Sequence, residues 1–290
     1  LVDSLKAART SPRIFWQNGQ LTTAYAGWGT TAEVRSSGVS RFADVRQRVE
    51  DLLSCVEIDC APRDAAPRMF GGFAFRPTYS PHAVWSPFPN TYFVLPRVML
   101  TETEGQIWLT LTTSDETEDL RDEADKVIAG LDQIRFARSE AQARVTSVTY
   151  PLSREDWRLQ VSLAVDRIRQ GELEKVVLAR TGELYFDGDV SVDTALERLG
   201  QRYPSTYRFL IEPRRGSAFL GATPELLIEV ADRHVRTAAV AGSVARGMTE
   251  RDDAELAAQL FTSAKERHEH ALVANSLRDL LEPMTTQLTY

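Results

Sequence analysis

The stretch Thr206-Tyr-Arg-Phe-Leu-Ile-Glu-Pro-Arg-Arg-Gly-Ser-Ala-Phe-Leu-Gly221 decides the fold class. Two runs of β-forming residues flank a polar turn at Arg214-Arg-Gly-Ser217, so the chain doubles back as a hairpin. Strands expected over 225–230 and 234–240 continue the meander, and a helix expected over 192–202 leads into it. Antiparallel strands in succession, with helices grouped to one side, predict an α+β fold. Its antiparallel β-sheets would carry helices on the outside and would not form a doubly wound sheet.

Upstream lies a strand expected at Lys175-Val-Val-Leu-Ala-Arg180, and before it a helix. Ser153 is a good N-cap for that helix, with Asp156 three residues on in a capping-box arrangement. Trp157, Val161, Val165 and Ile168 share one face, and Gly171 is a natural stop. Charge falls and β-formers resume near 143–150, which divides the chain into portions 1–145 and 146–290. In the first portion, Asn18-Gly19 marks a hairpin between strands at 13–16 and 22–28. A helix follows over 41–54, with Phe42, Val45, Val49, Leu52 and Leu53 on one side. Met69-Phe-Gly-Gly-Phe-Ala-Phe75 reads as a buried strand whose glycines suggest a bulge or a close backbone approach. Residues 77–89 hold four prolines and form no regular element, strands at 91–100 and 106–112 pair across Glu104-Gly105, and 115–142 is a charged helix.

The chain has 290 residues, a net charge of -7, 43% hydrophobic and 26% charged residues. Its pI near 5.3 argues against a nucleic-acid partner, which would require a basic stripe. No run of about 18 apolar residues occurs, and no basic-then-apolar leader, so neither membrane nor secretion is expected. Cys55 and Cys60 are too few for a disulfide framework or a four-ligand zinc site, and a cytoplasmic location is expected. The chain opens on Leu1 and stops at Gln287-Leu-Thr-Tyr290 without a polar tail, as a fragment would.

The chemistry centres on Ser263-Ala-Lys-Glu-Arg-His-Glu-His-Ala-Leu-Val-Ala-Asn-Ser-Leu-Arg-Asp-Leu-Leu281. Glu269, Val273, Ser276 and Leu280 fall on one stripe of a helix, widened by Leu272, Leu277 and Leu281. A carboxylate in line with an apolar face needs a cation, a metal or a proton. Glu266 and Glu269 share a face, and two carboxylates with water suit a hard ion such as Mg²⁺; equally they are a charged first turn. His268 and His270 are about 200° apart around the helix and cannot chelate one metal together. Lys175 is either a snorkelling surface lysine or a lysine desolvated enough to act as a base. Glu225 in Gly221-Ala-Thr-Pro-Glu-Leu-Leu227 is a strand-end carboxylate within reach of a cleft. Gly242 and Ser243, in a glycine-containing loop after 239, offer N–H groups and a hydroxyl to an anionic oxygen, or form an ordinary turn.

Together, Glu174-Lys-Val-Val-Leu-Ala-Arg180, Phe219-Leu-Gly-Ala-Thr-Pro-Glu-Leu-Leu227, Arg236-Thr-Ala-Ala-Val-Ala-Gly-Ser243 and Ser263-Ala-Lys-Glu-Arg-His-Glu-His-Ala-Leu272 resemble the chorismate-utilising enzymes, most closely the isochorismate synthases of menaquinone or siderophore pathways. The resemblance covers 150–281 strongly and 1–145 more loosely. It implies the anthranilate synthase component I-like fold, in which the two portions intertwine around a chorismate-binding core. It also implies Lys175 as the base that activates water for attack at C2 of chorismate, and Glu225 as the acid that protonates the departing C4 hydroxyl. By the same resemblance, Mg²⁺ would be held by Glu269 with Glu266 beside it, and Ala241, Gly242 and Ser243 would contact substrate. Where similar aminodeoxychorismate synthases carry a nucleophilic lysine this chain has Ala241, and the run after His268-Glu-His270 is not the anthranilate synthase pattern. Salicylate synthases share the lysine and both glutamates, so isochorismate formation followed by pyruvate release is the alternative. Family members run on past the position of Tyr290, so the resemblance implies a C-terminally incomplete chain. A second Mg²⁺ glutamate, an arginine and a tyrosine would lie beyond its end, and a non-catalytic remnant is a further alternative. A monomer is expected.

Overall fold

A computed structural model describes residues 1–58, 62–134 and 143–289. The chain begins with a 3-10 turn, Val2–Lys6, and the strands β1 (Arg13–Gln17), β2 (Thr23–Trp28) and β3 (Ala32–Val34). Helix α1 (Arg41–Ser54), strands β4 (Phe70–Phe73), β5 (Thr91–Leu95), β6 (Val98–Thr103) and β7 (Gln106–Leu111), and helix α2 (Arg121–Ile134) follow. An excursion through β8 (Val145–Thr149), α3 (Arg154–Arg169) and β9 (Glu183–Phe186) precedes α4 (Val192–Arg202), β10 (Tyr207–Arg214) and β11 (Ser217–Thr223). The remainder is β12 (Glu229–Ala231), β13 (His234–Arg236), α5 (Glu250–Thr262) and α6 (Ala264–Leu281). Two compact units result: Leu1–Gln142 with Val190–Pro224, and Ala143–Asp189 with Glu225–Tyr290. Residues 190–224, which the sequence alone assigns to the second portion, therefore pack with the first.

In the first unit six antiparallel strands run in the order β11-β10-β1-β2-β6-β7. Strand β1 is central, pairing Phe15 with Leu210 on one side and with Ala26 on the other. Because side chains alternate along a strand, Phe15 and Ile14 leave on opposite faces. Phe15 joins Leu5, Ala26, Trp28, Leu100, Leu196 and Leu210 in a core closed by α4 and the first 3-10 turn. Ile14 instead meets Tyr92 and Val94, which belong to a second sheet ordered β3-β5-β4. Each fully buried Leu or Phe contributes roughly 1.5–3 kcal/mol, which concentrates the unit's stability around β1 and its neighbours. This is the α+β arrangement expected from the sequence, with antiparallel sheets and outer helices.

A charge is buried at the centre of it. Arg13 is opposite Glu212 across the β1–β10 ladder, and both are nearly inaccessible to solvent. The guanidinium donates from Nε to Glu212, and from Nη1 to Asp193 Oδ1 at 2.9 Å and to the Leu5 carbonyl at 3.2 Å. Glu212 also accepts the Gly216 N–H at 3.1 Å, so the turn between β10 and β11 is held by the same cluster. Burial pulls the guanidinium pKa down, but Glu212 and Asp193 outweigh it and Arg13 stays charged.

Several local expectations hold and others shift. Helix α1 occupies 41–54 as its periodicity predicts, with Val45 buried and Phe42 largely exposed. Strands β6 and β7 pair across Glu104 and Gly105, both at positive φ, as expected. The strand expected over 91–100 is two strands in different sheets, broken at Pro96-Arg97. The turn at Asn18-Gly19 is longer than two residues, because Asn18 Oδ1 accepts from Thr22 and Thr23 and holds a five-residue loop. The strand at 69–75 shortens to β4 and is not buried. Its Gly71 is needed all the same, since a Cβ there would lie 1.9 Å from the Tyr92 carbonyl oxygen. The charged helix expected over 115–142 is α2 at Arg121–Ile134, and the rest of that span includes positions outside the described residues. Cys55 is a free, exposed thiol, and Cys60 lies outside the described residues.

The second unit holds two separate two-stranded ladders, β8–β9 and β12–β13, with α3, α5 and α6. Ser153 caps α3 through the Asp156 N–H at 3.0 Å, and Gly171 follows the helix at φ +76, as expected. The strand expected at 175–180 has no ladder among the described residues, and those at 225–230 and 234–240 shrink to β12 and β13. A strand exists through hydrogen bonds to a neighbour, so β-forming residues without one leave no ladder. No described residue of α3, α5 or α6 is buried, and the apolar stripes of α3 and α6 remain partly open. No helix among the described residues is long and apolar enough to cross a membrane.

Replacing Arg13 by Met should strand two buried carboxylates and lower stability by about 3–5 kcal/mol. Urea unfolding of the chain would measure it, and a loss below about 1 kcal/mol would show that the cluster does not hold the unit.

Candidate active site

Helix α6 places two carboxylates one turn apart. Ser263 caps it by accepting the Glu266 N–H at 3.3 Å, which fixes Glu266 in the first turn and Glu269 in the next. Carboxylates near a helix N-terminus are stabilised by the helix dipole. Glu266 receives Lys265 Nζ at 3.0 Å, and this contact raises the pKa of the exposed Lys265. Glu269 is half-buried rather than buried, because the apolar stripe it shares is only partly covered.

Lys175, on the irregular stretch after α3, brings its Nζ to 3.1 Å from Glu269 Oε1. The side chains are 27% and 38% exposed, so both charges are partly desolvated and each supplies the other's counter-ion. Periodicity on α6 asked for a cation, a metal or a proton at Glu269 without saying which; the contact present is a lysine from a remote segment. Further along that stretch, Arg180 lies 4.8 Å over the Tyr150 ring and 5.8 Å from that of Trp157. In place of a ladder, this stack ties the stretch to α3 and to the end of β8. Sequence reading gave Arg180 no role, because its aromatic partners sit far from it in sequence.

The loop carrying Ala241, Gly242 and Ser243 is pinned at two points. Gly242 adopts φ +78, and a Cβ on it would lie 2.8 Å from Glu266 Oε2 and 3.3 Å from Leu260 Cδ1. Glu266 therefore rests against the backbone of the loop that the sequence had singled out. At the loop's far end Arg246 makes two bonds to Asp253 at 2.6 and 2.7 Å, and the Gly247 N–H donates to Asp253 at 2.8 Å. The Arg246 contact, with the Gly247 N–H, lowers the Asp253 pKa to about 2. This anchor, too, was not read from the sequence, although an arginine seven residues before an aspartate in a helix's first turn offered a signal.

Glu225 stands after the end of β11, exposed, in a stretch without regular structure. His268 and His270 are both exposed on α6. Among the described residues no group of three or more His, Cys, Asp or Glu side chains converges as a metal site. Glu269, in contact with Lys175, and Glu266, one turn earlier on α6, offer carboxylate oxygens, a donor type that fits Mg²⁺, an ion that takes one or two protein carboxylates and keeps water or substrate oxygens. That Glu269 already carries an ammonium group shows that its environment accepts a cation.

The chorismate binding enzyme family matches this chain over residues 1–290. The chain is 32% identical over 286 residues to the salicylate biosynthesis isochorismate synthase of Pseudomonas aeruginosa, covering 97% of this chain and 58% of that protein. It is 28% identical over 280 residues to isochorismate synthase MenF of Bacillus subtilis, covering 93% of this chain and 59% of that one. The solved structure of the menaquinone-specific isochorismate synthase MenF from Escherichia coli has the same fold, with a TM-score of 0.74 at 23% identity over 97% of this chain and 60% of that chain. Anthranilate synthase component I from Streptococcus pneumoniae matches with a TM-score of 0.66 at 14% identity, over 90% and 62% of the two chains. The chain thus spans less than two thirds of the length of these proteins.

Substituting Gly242 by Ala should cost about 1–2 kcal/mol for the left-handed backbone alone, with the contact on Glu266 added. In a Glu266→Ala background the added part should shrink, because the 2.8 Å contact with Oε2 is lost while the Cβ of residue 266 stays at 3.3 Å. Denaturant melts of the two single variants and the double variant measure both parts, and full additivity would show that Gly242 and Glu266 are not packed together.

Proposed function

Because the chain belongs to the chorismate-binding enzyme family, we propose that it supplies the base and acid for the isomerisation of chorismate to isochorismate. The observation that carries this reading is the 3.1 Å approach of Lys175 to Glu269, between two segments more than ninety residues apart. A lysine beside one carboxylate of α6, with the other carboxylate of the pair packed against the Gly242 loop, suits attack of water on an anionic ring.

In the proposed reaction Lys175 takes a proton from water as its oxygen bonds to C2. The ring double bonds shift, the C4–oxygen bond breaks, and Glu225 gives the departing hydroxyl a proton so that it leaves as water. Water is a poor nucleophile and hydroxide a poor leaving group, so one group must remove a proton and the other must add one. A Mg²⁺ ion held by Glu269 and Glu266 would neutralise the ring carboxylate of chorismate. Ala241, Gly242 and Ser243 would meet the substrate through their backbone, with the Arg246–Asp253 anchor holding their loop in shape. A cytoplasmic, monomeric enzyme fits this reading; the names of the relatives include menaquinone and salicylate routes, and a siderophore route is a further destination for the product.

Incubation with chorismate and Mg²⁺ tests the proposal by product analysis. Isochorismate without pyruvate is the expected result. Pyruvate release would instead indicate a salicylate synthase, and no turnover by the folded chain would favour the non-catalytic reading. Lys175→Ala and Glu225→Gln should each lower turnover by about 10²–10⁴-fold with little change in chorismate affinity. Near-normal turnover in either variant would sink the corresponding role.

A further inference from the structure

Both carboxylates at the start of α6 carry a lysine, but the two pairs differ. Lys265 is the helical neighbour of Glu266, and its side chain is 81% exposed. Lys175 reaches Glu269 from a remote stretch, and its side chain is 27% exposed. An exposed neighbour is screened by water and contributes little, whereas a partly desolvated ammonium at 3.1 Å interacts strongly with the one oxygen it touches. The stretch that bears Lys175 has no ladder among the described residues, and Arg180 stacked on Tyr150 and Trp157 anchors it beyond the lysine. Lys175 is therefore attached to a segment that can yield without breaking a sheet.

We propose that the ammonium of Lys175 and a divalent cation are alternative counter-ions of Glu269, so that a cation binds α6 only by displacing Lys175 from Oε1. The inference rests on the reading of Glu269 as a cation ligand. It adds an order to the assembly of the site: while Lys175 is held on Glu269 its nitrogen is engaged, and arrival of the cation sets the lysine loose towards substrate. Two positive centres on one carboxylate oxygen repel each other, which favours exchange over sharing at that atom. Lys265 also sits on a carboxylate proposed for the cation, but its side chain is 81% exposed, so water screens its charge and moving it costs little.

Mn²⁺ titration of the full chain, read by calorimetry or by the electron paramagnetic resonance signal of free Mn²⁺, tests the exchange without any turnover. Lys175→Met removes the ammonium and keeps the apolar stem; it should bind Mn²⁺ about tenfold more tightly than the unsubstituted chain, the order expected of a unit charge close to a divalent ion at a partly screened site. Lys175→Arg, which keeps the charge, should stay close to the unsubstituted chain, and Lys265→Met should change affinity by less than about threefold. The proposal falls if Lys175→Met binds no more tightly, or if Lys265→Met tightens binding equally, since either result reduces the effect to general charge. Glu269→Gln tests the underlying reading separately: it should weaken Mn²⁺ binding by tenfold or more, and unchanged affinity would remove Glu269 as a ligand. Circular dichroism of each variant checks the fold, and Lys175→Gln provides the same comparison if the Met variant does not fold.

Discussion

A buried guanidinium must find carboxylates or the chain cannot close around it. Arg13 finds two, Glu212 across the ladder and Asp193 on α4, and both come from a segment nearly two hundred residues away. That demand explains why residues 190–224 return to the first unit after the chain has already left it. The apolar core around Phe15, Leu196 and Leu210 supplies most of the burial, but hydrophobic contact has no direction and would tolerate other registers. The ion cluster sets the register, because a slip of β10 by one residue would turn Glu212 to the opposite face.

The second unit is built differently. Its helices are defined locally by Ser153, Thr249 and Ser263 as side-chain caps. Its strands are short and paired two by two, and the stretches at 174–182 and 225–228, which carry the proposed base and acid, have no regular structure. A small set of specific contacts holds these stretches and the 241–247 loop: Lys175 on Glu269, Arg180 on its aromatic rings, the Thr237 hydroxyl on the Leu227 carbonyl, Gly242 against Glu266, and Arg246 on Asp253. Partly exposed pairs of this kind contribute little each to stability, yet each has a defined geometry. A site assembled from such contacts can rearrange when a ligand competes for one of the partners.

Much of this was legible from residues alone where the signal was local. The cap at Ser153, the stop at Gly171, helix α1 and the turn at Glu104-Gly105 depend on residues within a few positions of one another. Expectations failed where a partner strand was assumed, as at 175–180, or where one apolar run served two sheets, as at 91–100. Glu269 is instructive in both respects. Its place on an apolar stripe called for a cation, a metal or a proton, and the partner it meets, Lys175, was itself among the residues singled out, but nothing in spacing linked them.

The sequence by itself determined the α+β class, the helix that presents Glu266 and Glu269, the loop at Gly242 and Ser243, and the family these motifs resemble. Each of these depends on periodicity, capping or turn chemistry within a short span, where backbone geometry fixes which side chains are neighbours. Only the tertiary structure decided that β10 and β11 belong with β1, that Arg13 is buried between two carboxylates, and that Lys175 pairs with Glu269. Ion pairs between remote segments follow the path of the folded chain, and no local periodicity encodes that path.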